Sequence, residues 1–343
     1  MSISATISGG ITSVTNTAST LAGAVLRNTS LVATTKETTA LVIGDDVLAG
    51  TKTLGLVNDS NKALVLNSTT SATLLGGTGN NNVLVANDAA GTVLQAGTGI
   101  GQTLVGGAGG QLLGTSAAGN GSATIYGGTG NDTVVAASGN NFLTGGDGNN
   151  TLVVMGGTNR IVASGANDTV IAAGGNSTIT SGSGNAQIFA MTGSNYVVGG
   201  TGNTTIGAGG GNNTLFGGSG NAMIAGGGGN DLLVGNTSKT GTAVLGGFAG
   251  DDTLIGGVGN DTLFGGEGND VFVFSTVFGG GKHVIGDFKA GTDIIAVQGY
   301  GLTAAQVASQ VTVTGGSSVL SLSDGTQITV AGVTNLTARN FVV

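Results

Sequence analysis

The chain has 343 residues, of which 71 are Gly and none is Pro, Cys or Trp; 39% are hydrophobic but only 8% are charged. Ordinary domains carry roughly 7% Gly and ~25% charged residues, so this is the composition of a repeat fold with glycine corners, not of an enzyme with a charged cleft. The net charge of −8, with Arg160 the one basic residue between Ala63 and Asp231, argues against nucleic acid, and the absence of Cys rules out disulfides and thiol chemistry without fixing a compartment.

The N-terminus, MSISATISGGITSV, has neither a basic stretch nor a continuous apolar run, so no cleaved signal peptide is expected. No stretch approaches the ~18 apolar residues of a membrane span. Residues 1–47 are rich in Thr, Ser, Ala and Val and read as strands without a fixed step. They are expected to cap the first coil of a solenoid or to dock another subunit or a cell surface.

From Leu48 a step of nine becomes legible through Val57, Leu66, Leu75, Leu84 and Val93, then slips by two to Leu104, resumes at Leu113 and slips by three to Ile125 at the insertion GTSAAGNGS. Between 127 and 235 the step is unbroken. Val134, Leu143, Leu152, Ile161, Val170, Ile179, Ile188, Val197, Ile206, Leu215, Ile224 and Leu233 fall at consecutive ninth positions, and Asn131, Asn149, Asn167, Asn185, Asn203 and Asn221 repeat every eighteen. Nine with a double of eighteen points to two short strands per coil. Small residues two places after each large one (Ala136, Gly145, Ala163, Ala172, Ala190) share its strand face and give a thin core between two parallel sheets. The corners need positive φ, which Gly takes freely and Asn tolerates. The fold class expected is therefore all-β, a right-handed parallel β-roll or β-solenoid, over 48–274.

After Leu233 a three-residue slip around NTSKTGT leads to Leu245, Leu254, Leu263 and Phe272. Beyond Phe274 the pattern changes: LTAAQVASQV is the one plausible helix, and VTVTGGSSVLSLSDGTQITVAGV reads as strands and hairpins with Gly-Gly and Asp-Gly turns. Residues 275–343 are expected to form a separate β-rich module.

The corners are where chemistry is expected. In GGVGNDTLF and GGEGNDVFV, glycine backbone precedes an Asn-Asp pair and a strand. Carbonyl oxygens turned into the corner by Gly256, Gly257, Gly259, Gly265, Gly266 and Gly268, together with the carboxylates of Asp261 and Asp270, are hard oxygen donors of the kind calcium takes six to eight of. With the slip placed between Leu233 and Leu245, Asp231, Asp252 and Asp270 stack on one edge with Asp261 opposite, and three close carboxylates repel unless a cation lies between them. Asp132, Asp168, Asp287 and Asp293 are weaker candidates. The lone His283 is expected to be structural or exposed.

These corners resemble the hemolysin-type calcium-binding repeats of the RTX family, whose nonapeptide is GGxGxDxUx. GGTGND ending at Asp132, GGGGND at Asp231, GGVGND at Asp261 and GGEGND at Asp270 match the first six places; Asp168 and Asp252 end near-matches, the latter with Phe248 in the second Gly place. The repeats are best over 226–274. The tail, with DFKAGTD from Asp287 to Asp293, the DGTQITVAGV pair and apolar terminal residues, is similar to the C-terminal region of proteins exported by type I secretion. The resemblance implies bound Ca2+, an uncleaved C-terminal signal recognised by the type I secretion apparatus, and an extracellular or cell-surface location. The sequence departs from the family in its centre, where the sixth places run Asp132, Asn141, Asn150, Asn159, Asp168, Ser177, Ala186, Asn195, Thr204, Asn213, Ala222, Asp231, so that no Asp stacks on another Asp one coil away. Amides can still donate and accept along such a stack, and that region is expected to fold with little or no metal.

Enzymatic readings fail on inventory: one His gives no HExxH, and there is no G-x-S-x-G and no Cys. The expected function is that of a secreted structural protein whose partner is itself, assembled into a surface layer, filament or biofilm matrix, with a cell-surface polysaccharide as an anchoring partner. The alternative is an ice-binding or adhesive solenoid; the third corner places, Thr129, Asp147, Gly165, Ser183, Thr201 and Ser219, are too mixed for a regular Thr lattice.

Overall fold

In the computed structural model the described residues are 2–7, 11–17, 31–33, 40–44, 52–56, 60–67, 69–87, 89–116 and 121–343. The expected cap over 1–47 lies in large part outside them, as do Leu48, Val57 and part of the GTSAAGNGS insertion. The described residues form an all-β parallel β-solenoid with almost no helix, divided into two units, Met1–Ile161 and Val162–Val343.

In the first unit Ser2–Ile7 pairs antiparallel with Ile11–Thr17. From there each strand pairs in parallel with the next but one: Leu31–Ala33 with Lys52–Leu56, and Ala40–Gly44 with Ala63–Asn67. Alternate strands thus build two sheets, and their inward residues meet between them. Here the step of nine is corrected. The buried column is Leu54, Leu64, Leu74, Leu84, Leu94 and Leu104, a step of ten, whereas Leu75 and Val93 are only half-buried. Register agrees: Thr53 pairs with Thr73, Thr73 with Val93, and Ala63 with Val83, twenty residues per coil. The extra residue sits in the corner. Asn61 and Asn81 have φ of 59° and 56° and Gly101 has 72°, all twenty apart, and the Asn81 side-chain amide donates to Asn61 Oδ1 at 3.1 Å. Apolar doublets such as Leu74-Leu75 and Val93-Leu94 allow a nine-residue frame to fit by coincidence. Beyond Leu113 and Ile125 the eighteen-residue coil takes over, with Val134 on Leu152 and Ile125 on Leu143.

The second unit keeps that coil. Val170 pairs with Ile188, Ile188 with Ile206 and Ile206 with Ile224. The ninth-position residues Val170 through Leu233, then Leu245, Leu254, Leu263 and Phe272, are all buried, with Ala172 and Ala190 in the small places beside them. Each such aliphatic side chain contributes about 1.5–3 kcal/mol on burial, offsetting the ordering of a chain that is one-fifth glycine. The Asn series seen in the sequence is an exposed ladder: the backbone N–H of Asn203 donates to Asn185 Oδ1 and that of Asn221 to Asn203 Oδ1. The three-residue insertion is a corner bulge in which Asn236 Oδ1 accepts the Ser238 N–H at 2.6 Å; register is then kept with Ile224 on Leu245 and Leu233 on Leu254.

Parallel coiling does not stop at Phe274. Lys282–Ile285 pairs with Thr262–Glu267, and Ile294–Gln298 with Val271–Ser275. The helix is Ala304–Ser309, closed by a capping box of Thr303 and Gln306. Thr312–Thr314, Ser317–Ser321 and Gln327–Val330 then form antiparallel hairpins, the last strand also lying parallel on Lys282–Ile285. Phe341–Val342 ends the chain against Ile294–Gln298.

Candidate metal centre

The corners of the second unit are set by glycine. Gly229, Gly250 and Gly268 have φ of 107°, 124° and 128°, and each stands two residues before the Asp that ends its repeat. Successive corners stack so closely that a Cβ on Gly268 would lie 2.0 Å from the Gly250 carbonyl oxygen. Gly257, Gly259 and Gly266 are under the same constraint, with carbonyls of Asn236, Gly241 and Phe248 at 2.0, 2.0 and 2.1 Å from the same hypothetical atom.

The structure brings Asp231, Asp252 and Asp270 onto one edge, one coil apart. Each carboxylate uses Oδ1 to accept the backbone N–H of the coil before it: Asn213 to Asp231 at 2.7 Å, Asp231 to Asp252 at 2.7 Å, Asp252 to Asp270 at 3.0 Å. All three residues are at most 3% exposed, and the second oxygen, Oδ2, is buried with no hydrogen-bond partner. That oxygen lies over the first glycine of its own repeat: a Cβ on Gly226, Gly247 or Gly265 would be 2.4, 2.2 or 2.2 Å from it. Burial drives the Asp252 carboxyl up to about 7; the Asp231 N–H opposes this, and the neighbouring Asp231, Asp270 and Asp251 charges add to it. Burial likewise raises Asp231 and Asp270. Three stacked acids that resist ionisation, each with an orphaned oxygen beside glycine backbone, fit a divalent cation with a taste for oxygen. Among the described residues no group of three or more His, Cys, Asp or Glu side chains could hold a metal ion, so a cation at these corners would need backbone carbonyls in its ligand set.

The remaining candidates are placed differently. Asp293 continues the same ladder, its Oδ1 accepting the Asp270 N–H at 3.3 Å, while its Oδ2 accepts the Lys289 N–H at 2.8 Å. Asp287 spends both oxygens on the N–H groups of Gly265 and Gly266, each at 2.9 Å. It thereby fixes a corner through both oxygens. Asp261 is on the opposite edge, accepting the Ala243 N–H at 2.7 Å, and its Oδ2 is 3.2 Å from His283 Nδ1. His283 is 1% exposed, and its Nε2 lies 3.1 Å from the Gly280 carbonyl oxygen. It therefore stands over Asp261 and Gly256, whose Cβ would be 2.9 Å from Nδ1. Sequence reasoning missed that pairing, which follows from the register of Val284 on Thr262 that sets His283 opposite Asp261. Asp168 accepts the Gly165 N–H through Oδ2 at 2.7 Å. In the first unit, Asp132 accepts the Gln111 N–H at 2.9 Å, and burial raises its carboxyl to about 6 against that hydrogen bond.

Where the sequence has Asn, the same place is filled otherwise. Asn195 Nδ2 donates to the carbonyls of Thr192 and Gly193 at 3.2 and 2.9 Å, and Asn213 Nδ2 to that of Gly211 at 2.8 Å. In the first unit Asn141 does the same to Ser138 and Gly139, both at 2.9 Å.

A family model described as the RTX calcium-binding nonapeptide repeat matches residues 118–152, 154–188, 189–224, 207–237 and 246–275. No curated protein matches the chain. Among solved structures, the extracellular lipase LipA from Serratia marcescens is similar at 20% identity with a TM-score of 0.24, over 49% of this chain and 40% of that one. That likeness carries no argument about activity. RTX nonapeptide repeats bind calcium, so Ca2+ is the cofactor that the match implies, and repeats of this kind are matched in segments between residues 118 and 275.

Proposed function

We propose that this is a secreted structural protein that assembles with copies of itself into an extracellular layer, filament or matrix, and that calcium at Asp231, Asp252 and Asp270 stabilises its repeat corners. The observation that carries the reading is an apolar patch on one sheet of the second unit. Met223, Val244, Phe248 and Phe264 are 56%, 45%, 59% and 41% exposed, and they surround a cleft of about 400 Å³ floored by Gly246 and Gly266. Contiguous exposed apolar surface of this kind marks an interaction site. Phe248 adds to the case: it occupies a glycine place of the repeat with φ of 79°, a conformation costing a bulky residue about 1–3 kcal/mol. Sequestering the ring against another molecule offsets that cost; exposing it to water does not. The low charge of the chain favours a like surface as the partner, because little desolvation of ions opposes contact.

RTX proteins are exported by type I secretion, and in this reading residues 275–343 hold the uncleaved export signal, 1–47 cap or dock, and a surface polysaccharide is an anchoring partner. No helix of the described residues is long and apolar enough to cross a membrane. The function is read as non-enzymatic, with the corners offering buried oxygens suited to a cation. The test is sedimentation velocity in millimolar calcium over rising protein concentration, comparing the native chain with Phe248→Ser/Phe264→Ser. The native chain is expected to form large species and the variant to remain dispersed. A native chain that stays monomeric at high concentration would sink the reading, as would a variant that assembles equally well.

A further inference from the structure

The Asn and Asp corners on one edge of the second unit differ in a single atom, and that atom decides what the corner needs. In Asn195 and Asn213 the group turned toward the corner carbonyls is an NH2, which donates to Thr192, Gly193 and Gly211. In Asp231, Asp252 and Asp270 the second side-chain atom is an oxygen, which accepts only; it is buried and unpartnered. Within the first unit the two atoms occupy equivalent places: a Cβ on Gly145 would be 2.7 Å from Asn150 Nδ2, and one on Gly127 would be 2.8 Å from Asp132 Oδ2. The first side-chain oxygen does the same work in both residue types. The Ser177 N–H donates to Asn195 Oδ1 at 2.8 Å and the Asn195 N–H to Asn213 Oδ1 at 2.9 Å, as the later coils donate to Asp. The ladder is continuous through the change of residue, so the backbone does not distinguish the two corner types.

We propose that the side-chain amides of Asn195 and Asn213 take the place of a calcium ion, so that the border between metal-free and calcium-requiring corners lies between Asn213 and Asp231, and one Asn/Asp exchange moves it by one coil. An amide NH2 and a cation answer the same need, a positive partner for inward carbonyl oxygens. The amide is covalently fixed and independent of the medium; the cation additionally neutralises a carboxylate. The arrangement gives the edge a stretch that is ordered without calcium, on which the calcium-requiring coils are built. The inference concerns ion binding alone and stands apart from self-assembly.

The test is calcium stoichiometry by isothermal titration on the full chain, with circular dichroism in chelator as a second readout. Asn213→Asp is expected to bind about one more ion than the native chain and Asp252→Asn about one fewer. The triple variant Asp231→Asn/Asp252→Asn/Asp270→Asn is expected to keep its β signal in chelator to a higher temperature than the native chain. Unchanged stoichiometry in either single variant would overturn the proposal. So would an Asn213→Asp chain that fails to fold even in calcium, or a triple variant that melts in chelator no later than the native chain.

Discussion

Gly266→Ala is expected to destabilise the second unit well beyond what its backbone angle alone requires. Gly266 has φ of 102°, and an added Cβ would lie 2.1 Å from the Phe248 carbonyl oxygen one coil away. The angle costs an L-residue about 1–2 kcal/mol. The contact costs more, because carbon and oxygen settle near ~3.3 Å and the coils must part by roughly 1 Å. That separation weakens the pairing of Phe248 with Gly266 and of Ala249 with Glu267. Each hydrogen bond so lost removes about 0.5–1.5 kcal/mol. Gly325 supplies the control: its φ is 90°, but a Cβ there meets nothing within 4 Å. Gly325→Ala therefore isolates the cost of the angle, and the difference between the variants, about 1–3 kcal/mol, isolates the stacking. Thermal melts in saturating calcium read this as a further fall of about 2–12 °C, at ~2–4 °C per kcal/mol for a unit of this size. Equal melting temperatures for the two variants would refute the claim that close stacking, and not turn geometry alone, demands glycine in these corners.

Three further outcomes are expected. Chelation exposes the cost of the orphaned oxygens of Asp231, Asp252 and Asp270; at about 1–3 kcal/mol each, it consumes much of a stability of ~5–15 kcal/mol. Hydrogen exchange in chelator is expected to accelerate over 226–275 before 177–213, and uniform acceleration would contradict the account. In the C-terminal hairpins, burial tends to raise the Asp324 carboxyl, but the Thr326 N–H at 3.0 Å and the Tyr300 hydroxyl at 2.8 Å outweigh it and hold the pKa below the ordinary 3.8. A depressed folded-state pKa contributes stability above the unfolded value and loses it as pH falls through the folded one. Asp324→Asn is therefore expected to melt earlier than the native chain at pH 7, with the gap closing below pH 3.8; a gap independent of pH would count against it. Leu215→Ala, at a site with no exposure, is expected to cost about 2–5 kcal/mol in denaturant titration; a loss under ~1 kcal/mol would show that the inter-sheet layer is not close-packed.

The eighteen-residue coil was readable because one large aliphatic residue per strand must face inward, and nothing else in a glycine-rich chain competes for that signal. The same signal failed between Leu54 and Leu104. There, neighbouring apolar residues such as Leu74 and Leu75 supply a candidate in either frame, and the deciding feature, one more residue in a left-handed Asn corner, has no hydrophobic mark. The stacking of Asp231, Asp252 and Asp270 followed from counting across the insertion. The role of Asp287 did not, because its ligands are backbone N–H groups that carry no sequence identity. His283 was likewise opaque: only the register of Val284 on Thr262 shows that it lands opposite Asp261. The change from Asn to Asp at 213 and 231 was visible, but its meaning lies in which atom points at the corner carbonyls, and that needs coordinates.

The most direct measurement is negative-stain electron microscopy of the purified chain in millimolar calcium and again after chelation. Sheets or filaments in calcium that disperse in chelator are the result expected of a structural polymer whose corners are closed by calcium. Dispersed particles in both conditions would contradict it.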